Sequence, residues 1–253
     1  MLLMKFKRCN KMEAFIVGAE NARIDNFPHA VYLELSTNRK WICGSAILNQ
    51  DIILTAAHCL YTCVDTKCNI NAFAGHESLY KVTIIREIND FKVHGKYDDV
   101  DMQNDIALAK VTESFPLGGK FHIKRIMVLD TFPHVVIAQM AGWGVIDDET
   151  KEAAVTLKMT MQVLKTGDEC EQYVDMNPGL FCAATPTKLG RPSEGDSGSA
   201  LVTISFAQIG VVSFRMEDNP SVLYYTNVTY FHNWIQEATR ALYCDYDKTK
   251  FYT

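Results

Sequence analysis

Short apolar runs separated by turn residues recur along most of the chain, and this spacing restricts the folds that it can adopt. Runs at 43–48 and 51–54 flank Asn49-Gln50, which predicts a β-hairpin. Further strands are predicted at 30–35, 82–88, 128–129, 135–140, 155–163, 200–204, 208–214 and 223–228. Many short strands at regular spacing are typical of a β-sandwich or a β-barrel. The sequence therefore predicts an all-β fold, which its 253 residues could form as one unit or as two compact halves.

One segment near the C-terminus has a different period. Phe231, Trp234, Ile235 and Ala238 recur at helical spacing, which predicts a helix at about 229–243. Earlier in the chain, the Pro-Leu-Gly-Gly stretch at 116–119 indicates a soft boundary between two groups of strands.

The charge balance and the lengths of the apolar runs argue against two classes of partner. The chain has 25 basic and 30 acidic residues, a formal net charge of -5, whereas a nucleic-acid-binding domain is expected to carry a basic face. No run of apolar residues approaches the roughly 18 that would suggest a membrane-spanning helix. We therefore expect neither nucleic acid nor a membrane as a partner.

Eight cysteines allow two interpretations of the chain. A disulfide framework would place the protein in an oxidising compartment, so secretion to the extracellular space is expected. Cys63 and Cys68 are close enough in sequence to close a local loop. Alternatively, Cys59, Cys63 and Cys68 could form a zinc cluster with His58, but the CxxC pairs common in structural zinc sites are missing. We favour disulfides and expect no metal or other cofactor.

Three short segments supply residue types that together can perform nucleophilic catalysis. A serine hydroxyl is a poor nucleophile until a base removes its proton, and histidine suits that role because it titrates near neutral pH. A carboxylate must then hold the second ring N–H of the histidine. Segments 54–59, 104–108 and 195–199 offer these groups in the order His, Asp, Ser, which predicts a catalytic triad of His58, Asp105 and Ser197.

Glycines on both sides of Ser197 let the backbone come close to a substrate. The N–H groups of Gly195 and Ser197 are therefore predicted to form an oxyanion hole, which would bind the negative charge of a tetrahedral intermediate.

From about residue 16 to residue 241 the chain resembles the chymotrypsin or trypsin family of serine proteases. Besides the three catalytic segments, the resemblance is carried by Ile16-Val17-Gly18-Ala19, Phe27-Pro28-His29, Trp41-Ile42-Cys43-Gly44, Gly142-Trp143-Gly144, Val212-Ser213-Phe214 and Trp234-Ile235. It implies two six-stranded antiparallel β-barrels, with the active site between them, and a short C-terminal helix. The implied boundaries are a peptidase domain at 16–243, barrels at about 27–117 and 121–228, the helix at about 229–243, and a tail at 244–253.

The resemblance also implies two disulfide bridges, Cys43 with Cys59 and Cys170 with Cys182. Cys9 and Cys244 then remain by elimination. We hypothesise that they join the N-terminal segment to the C-terminal tail.

Activation in the family begins with a cut before an isoleucine, whose new amine pairs with the Asp before the nucleophile. Those groups would here be Ile16 and Asp196. Phe15 precedes the cut where Arg or Lys is usual, so a trypsin-like activator is not expected; a chymotrypsin-like activating protease would suit, or the chain remains a zymogen. Residues 1–10 contain no signal-peptide core, and 1–15 is interpreted as a pro-segment or a truncated leader.

The resemblance places Arg191 at the floor of the primary substrate pocket, because the spacing from Cys182 to Ser197 matches that of trypsin-like members. A fixed cation would repel Lys and Arg side chains and could hold acidic ones through bidentate hydrogen bonds. The competing interpretation is that Arg191 is a solvated loop residue with no role in specificity.

Three further residues bear on this pocket. Arg215 and Leu223 stand where glycines usually leave its mouth and wall open, so the pocket is predicted to be small or filled. Ser213 lies on the substrate-binding strand and is expected to form a hydrogen bond near Asp105.

These observations predict a secreted serine endopeptidase that is made as a zymogen, acts on proteins or peptides, is not trypsin-specific and is a monomer. A second hypothesis is a non-catalytic homologue that binds a partner, suggested by the altered cut site and the crowded pocket. A third, a zinc-binding structural module, depends only on the cysteines near His58.

Overall fold

The computed structural model describes residues 19–146, 150–171, 174–186, 192–216, 219 and 221–250. Its strands are β1 (Glu20–Asn21), β2 (Ala30–Ser36), β3 (Lys40–Ile47), β4 (Ile52–Thr55), β5 (Asn69–Ala74), β6 (Ile84–Val93), β7 (Ala107–Val111), β8 (Met127–Val128), β9 (Ile137–Gly142), β10 (Lys158–Leu164), β11 (Leu180–Ala184), β12 (Ala200–Val202), β13 (Ala207–Arg215) and β14 (Val222–Asn227). Its helices are α1 (Ala57–Leu60), α2 (Thr62–Asp65), α3 (Gly167–Glu171) and α4 (His232–Lys250), with 3-10 turns at Ile24–Asn26, Leu79–Lys81 and Gly119–Phe121.

The first six long strands close into an antiparallel barrel in the order β2-β3-β4-β7-β6-β5. Successive side chains of a strand point to opposite faces, so an alternating pattern fills a barrel from within. Val31, Leu33 and Leu35 of β2 follow this pattern and are almost completely buried. Burying each such side chain contributes about 1.5–3 kcal/mol, which makes the interior the main source of stability.

The remaining long strands form a second closed barrel. β9 pairs with β10, β10 with β11, β11 with β14, β14 with β13, and β12 links β13 back to β9, all antiparallel. β1 extends the edge of β10, and β8 runs parallel to β13. The predicted all-β class with two six-stranded antiparallel barrels and a short C-terminal helix is therefore confirmed.

The two barrels meet through a shared apolar cluster. Phe27 and Ala46 from the first half pack with Trp143, Leu157 and Val202 from the second. The indole N–H of Trp143 donates to the backbone oxygen of residue 77 at 2.8 Å, so its polar atom is satisfied inside the interface. This contact fixes one barrel against the other and thereby sets the geometry of any site that lies between them.

The C-terminal helix α4 starts later and ends later than the sequence predicted, at His232 rather than about 229 and at Lys250 rather than about 243. The late start has a local cause. The side-chain oxygen of Asn227 accepts hydrogen bonds from the backbone and hydroxyl of Thr229, which holds the chain in a turn before the helix. The apolar face of α4 packs on the first barrel. Ile235 and the preceding Phe231 belong to the same core cluster as the side chains inside that barrel. No helix in the described ranges has the length and apolar character needed to cross a bilayer.

Candidate active site

Strand register brings His58 and Asp105 together. In the β4–β7 pair Thr55 lies opposite Ala107, so the helical turn after β4 and the residue just before β7 occupy neighbouring strand ends. Nδ1 of His58 lies 2.8 Å from Oδ2 of Asp105. The backbone N–H of His58 donates to Oδ1 of the same carboxylate at 2.9 Å. Both the ring and the backbone of the histidine are thus fixed by one aspartate.

Asp105 is completely buried. A buried carboxylate is costly unless hydrogen bonds replace its water. Besides the two contacts with His58, the hydroxyl of Ser213 donates to Oδ2, as the sequence predicted. The hydroxyl of Thr226 donates to the backbone oxygen of Asp105 at 2.7 Å. Charge-assisted hydrogen bonds are about twice as strong as neutral ones, so this carboxylate is held in one orientation.

Asn104 is a positioning residue that sequence reasoning missed. Its φ of 55° lies in the left-handed region, which asparagine tolerates better than most residues. Its side-chain amide donates to the backbone oxygen of Lys96 at 2.8 Å. The turn that aims Asp105 inward is therefore held by the residue immediately before it. An Asn before an Asp-Ile-Ala-Leu run was the available signal.

Ser197 lies beside the segment that contains His58. Its backbone oxygen accepts a hydrogen bond from the N–H of Gly44 at 2.7 Å and lies 3.6 Å from Sγ of Cys59, the residue after His58. Within the described ranges, no hydrogen bond joins Ser197 Oγ to Nε2 of His58. The structure thus brings the three predicted residues to one place, with the His–Asp contact formed and the Ser–His contact open.

The backbone around Ser197 leaves two N–H groups available for a ligand. Gly195 and Gly198 have φ of 88° and 84°, values that favour glycine. The N–H groups of Asp196, Gly198 and Ser199 are all bonded to backbone oxygens. Those of Gly195 and Ser197 donate to no acceptor in the part of the chain described here. An oxyanion would suit this pair of donors.

Among the residues that the structure describes, three disulfides are present, Cys43–Cys59, Cys63–Cys68 and Cys170–Cys182. The zinc alternative is wrong, because Cys59 is bonded to Cys43, and Cys63 to Cys68, so none of these sulfurs is free to act as a thiolate ligand. Cys244 is exposed and belongs to none of these bridges. Cys9 lies outside the described residues, so its bridge with Cys244 stays a prediction.

Asp196, the residue before Ser197, is buried in a closely packed site. Its carboxylate accepts hydrogen bonds from the N–H groups of Gly144 at 2.9 Å and Ser193 at 3.0 Å. A Cβ on Gly142 or Gly144 would approach the carboxylate to 2.1 Å or 2.4 Å, so neither position has room for a side chain. Burial raises the pKa of Asp196 to about 6, while the two hydrogen bonds and the charge of Arg215 oppose the rise. The predicted partner, Ile16, lies outside the described residues.

The pattern of these residues recurs in known proteins. The family profile described as Trypsin matches residues 16–235, which is most of the chain. The chain belongs to the trypsin family. By class it is therefore a serine endopeptidase, and proteases of this kind act on proteins or peptides.

Trypsin-family relatives of this chain match it along almost their whole length. Mast cell protease 3 of Ovis aries is 26% identical over 228 residues, which cover 89% of each chain. Hypodermin-B of Hypoderma lineatum is 28% identical over 241 residues, covering 91% of this chain and 90% of its own. Among solved structures, HL collagenase has a TM-score of 0.76 at 24% identity and covers 88% of this chain and 98% of its own.

A second structural neighbour is the scabies mite inactivated protease paralogue S-D1. It has a TM-score of 0.75 at 23% identity and covers 88% of this chain and 96% of its own. At this identity the likeness shows the fold alone, so the fold of this trypsin-family chain does not by itself decide activity.

The residues predicted to narrow the primary pocket of this trypsin-family chain are packed against their neighbours. Leu223 is buried in a core cluster with Val212 and lies opposite Arg215 in the β13–β14 pair. Arg215 is partly buried, and its Nη1 atom is fully enclosed. Phe214 stacks on Tyr224 at a centroid distance of 4.7 Å, which fixes the adjoining wall. Arg191 lies outside the described residues, so its place at the pocket floor stays a prediction.

An open groove next to this pocket was not anticipated from the sequence. It has a volume of about 370 Å³ and is lined by residues 100–103 and 174–175, together with Phe214 and Met216. The amide of Asn177 donates to the side-chain oxygen of Gln103 at 3.1 Å, which links the two wall segments. No short motif marks it, because its walls come from loops far apart in the chain.

Proposed function

We propose that this chain is a secreted serine endopeptidase, made as a zymogen, that cleaves peptide bonds through His58, Asp105 and Ser197. The observation that carries the proposal is the buried Asp105 carboxylate, which holds the ring and the backbone of His58 at 2.8 Å and 2.9 Å. Its support from the comparisons is the family match over residues 16–235.

The reaction proceeds by acyl transfer. Ser197 Oγ attacks the substrate carbonyl while Nε2 of His58 takes the hydroxyl proton, and Asp105 holds the opposite ring N–H. The carbonyl oxygen becomes an oxyanion and accepts hydrogen bonds from the N–H groups of Gly195 and Ser197. His58 then gives its proton to the leaving amine, and a water molecule repeats the sequence to release the acid. Substrate binding must first bring Nε2 of His58 to Ser197 Oγ, a contact that often tightens only in the complex.

Activation is proposed to follow a cut between Phe15 and Ile16 by a protease that accepts an aromatic residue. The new ammonium group of Ile16 would pair with Asp196. The buried carboxylate supports this step, because its raised pKa indicates that a nearby cation would be favourable. The peptidase domain is proposed to span 16–243.

Specificity is proposed to exclude Lys and Arg at the scissile position. Arg215 would place one cation beside the pocket, and Arg191 would add a second at its floor. Acidic side chains are the class that such a pocket would hold best. Three disulfides support secretion, since they persist in oxidising compartments, and the protein is proposed to act as a monomer.

Labelling with a fluorophosphonate probe tests the proposal. A form that begins at Ile16 should label at Ser197 and cleave a peptide library, and Ser197→Ala should abolish both. Ser205→Ala, at an exposed turn serine, is the matched control and should label normally. A folded, correctly cut protein that does not label would instead favour the non-catalytic binding homologue.

A further inference from the structure

The chain contains one acceptor triplet for N-linked glycosylation, which the catalytic mechanism does not use. Asn227-Val228-Thr229 has the required Asn-X-Ser/Thr pattern, in which the middle residue is not proline. Asn219-Pro220-Ser221 has the same spacing, but its central proline excludes modification. Because such triplets also occur by chance, the geometry of the asparagine side chain has to decide whether the position can carry a sugar.

The oxygen of the Asn227 side chain is committed to a turn. Asn227 is the last residue of β14. Its Oδ1 atom accepts hydrogen bonds from the backbone N–H of Thr229 at 3.1 Å and from the Thr229 hydroxyl at 2.8 Å. The backbone N–H of Tyr230 donates to the same oxygen at 3.4 Å. This turn uses the oxygen of the side chain and not its nitrogen, so a substituent on Nδ2 leaves the turn intact.

The nitrogen of the Asn227 side chain lies at the surface. Nδ2 donates to the backbone oxygen of Pro178 at 3.1 Å, and this contact is exposed to solvent. A primary amide carries two N–H groups, so one can keep the bond to Pro178 while a sugar replaces the other. Pro178 is exposed, and Tyr230 is 57% exposed. A bulky, hydrated glycan needs a surface position of this kind.

Strand alternation directs this side chain away from the catalytic residues. Successive side chains of a strand point to opposite faces. The hydroxyl of Thr226 donates to the backbone oxygen of Asp105, so the side chain of Asn227, the next residue, points to the opposite face of β14. A glycan at Asn227 is therefore expected to leave the triad accessible.

We propose that Asn227 is an N-glycosylation site and that the secreted protein carries a glycan there. Nδ2 of Asn227 attacks C1 of the first sugar of a lipid-linked oligosaccharide. The N–C bond forms while the C–O bond to the lipid diphosphate breaks, the electron pair leaves with the diphosphate, and the amide loses one proton. The sugar donor is met only by chains that enter the secretory route, so this inference rests on the secretion stated in the proposed function.

The test is expression of the full chain in cultured mammalian cells, behind a cleavable secretion signal. The secreted protein is treated with peptide-N-glycosidase, which releases the sugar and converts the linked asparagine to aspartate. Intact mass and peptide maps are recorded before and after treatment. We expect the unsubstituted chain to lose mass, and the conversion to aspartate to map to Asn227.

Three variants locate the sugar. Asn227→Asp keeps an oxygen acceptor for the turn and should abolish the mass loss. Thr229→Ser keeps the hydroxyl of the triplet and should retain it. Asn219→Gln, at the triplet with the central proline, is the matched control and should show the full mass loss. Thermal unfolding reports whether each variant folds, and the peptide map of the unsubstituted chain decides the question even if a variant does not.

The outcomes separate this inference from the peptidase proposal. A secreted chain whose mass does not change on treatment, or whose sugar maps to a different residue, would overturn the inference. The same samples, cut before Ile16, are then labelled with the fluorophosphonate probe. A chain that labels but carries no sugar would leave the peptidase proposal standing without the site. A glycosylated chain that never labels would keep the site and count against the peptidase.

Discussion

The buried carboxyl of Asp196 should make the folded chain less stable as the pH rises from about 4 to about 6. Burial raises its pKa from an ordinary 3.8 to about 6. Below pH 4 the group is protonated in both the folded and the unfolded chain and has no net effect. Between the two pKa values the unfolded chain loses its proton first and is favoured. The free energy of unfolding should therefore fall by about 3 kcal/mol across this range and then stay level.

A second buried group titrates over the same range with the opposite sign. Burial lowers the pKa of His29 from 6.5 to about 4. Its contribution is fully present above the unfolded value and is lost as the pH falls through the folded one. The two effects oppose each other in the unsubstituted protein, so its own pH profile is not diagnostic. The informative quantity is the difference in unfolding free energy between the unsubstituted chain and Asp196→Asn.

Urea denaturation with the disulfides intact measures this difference. We expect the unsubstituted chain to lose about 3 kcal/mol relative to Asp196→Asn as the pH rises from about 4 to about 6. The amide loses one acceptor for the Gly144 and Ser193 N–H groups, which adds an offset that does not depend on pH. Asp130→Asn, at an exposed position, is the control and should give a constant difference. A constant difference for Asp196→Asn as well would refute the reasoning.

Two further predictions concern catalysis and specificity. Asp105→Asn should lower kcat for a peptide substrate by about 10⁴-fold, the effect of the same change in the family template, because an amide favours the wrong tautomer of His58. Steady-state kinetics measures this loss, and a decrease of less than about tenfold would contradict the role of Asp105. Arg215→Gly should widen the pocket mouth and weaken any preference for acidic side chains. A peptide-library cleavage profile measures that shift, and an unchanged profile would remove Arg215 from the pocket.

Much of the first barrel could be predicted because its strands alternate clearly. Val31, Leu33 and Leu35 indicated one buried face, and all three lie inside. β5 was missed, although Ile70 and Ala72 also point inward, because asparagine and alanine are weak strand formers and hide the alternation. The barrel architecture itself came from the family resemblance, since strand spacing alone allowed a sandwich as well as a barrel.

The candidate site was predictable where its residues stand in short motifs, as His58, Asp105 and Ser197 do. The supporting contacts were not. Thr226 reaches the backbone of Asp105 across 121 positions of sequence, and the N–H of Gly144 donates to the Asp196 carboxylate across 52 positions. Such neighbours depend on which strands pair and in what alignment, and a single sequence carries no direct record of either.

The dual anchoring of Asp105 has a mechanical consequence. Asp105 lies at the edge of the first barrel. Ser213 and Thr226, which donate hydrogen bonds to its side chain and its backbone, belong to the second barrel. Sliding one half of the molecule over the other would therefore disturb the hydrogen bonds that orient Asp105 toward His58, while both halves kept their own structure. A ligand that binds between the two barrels and separates them is therefore expected to inhibit the protein without contacting His58 or Ser197.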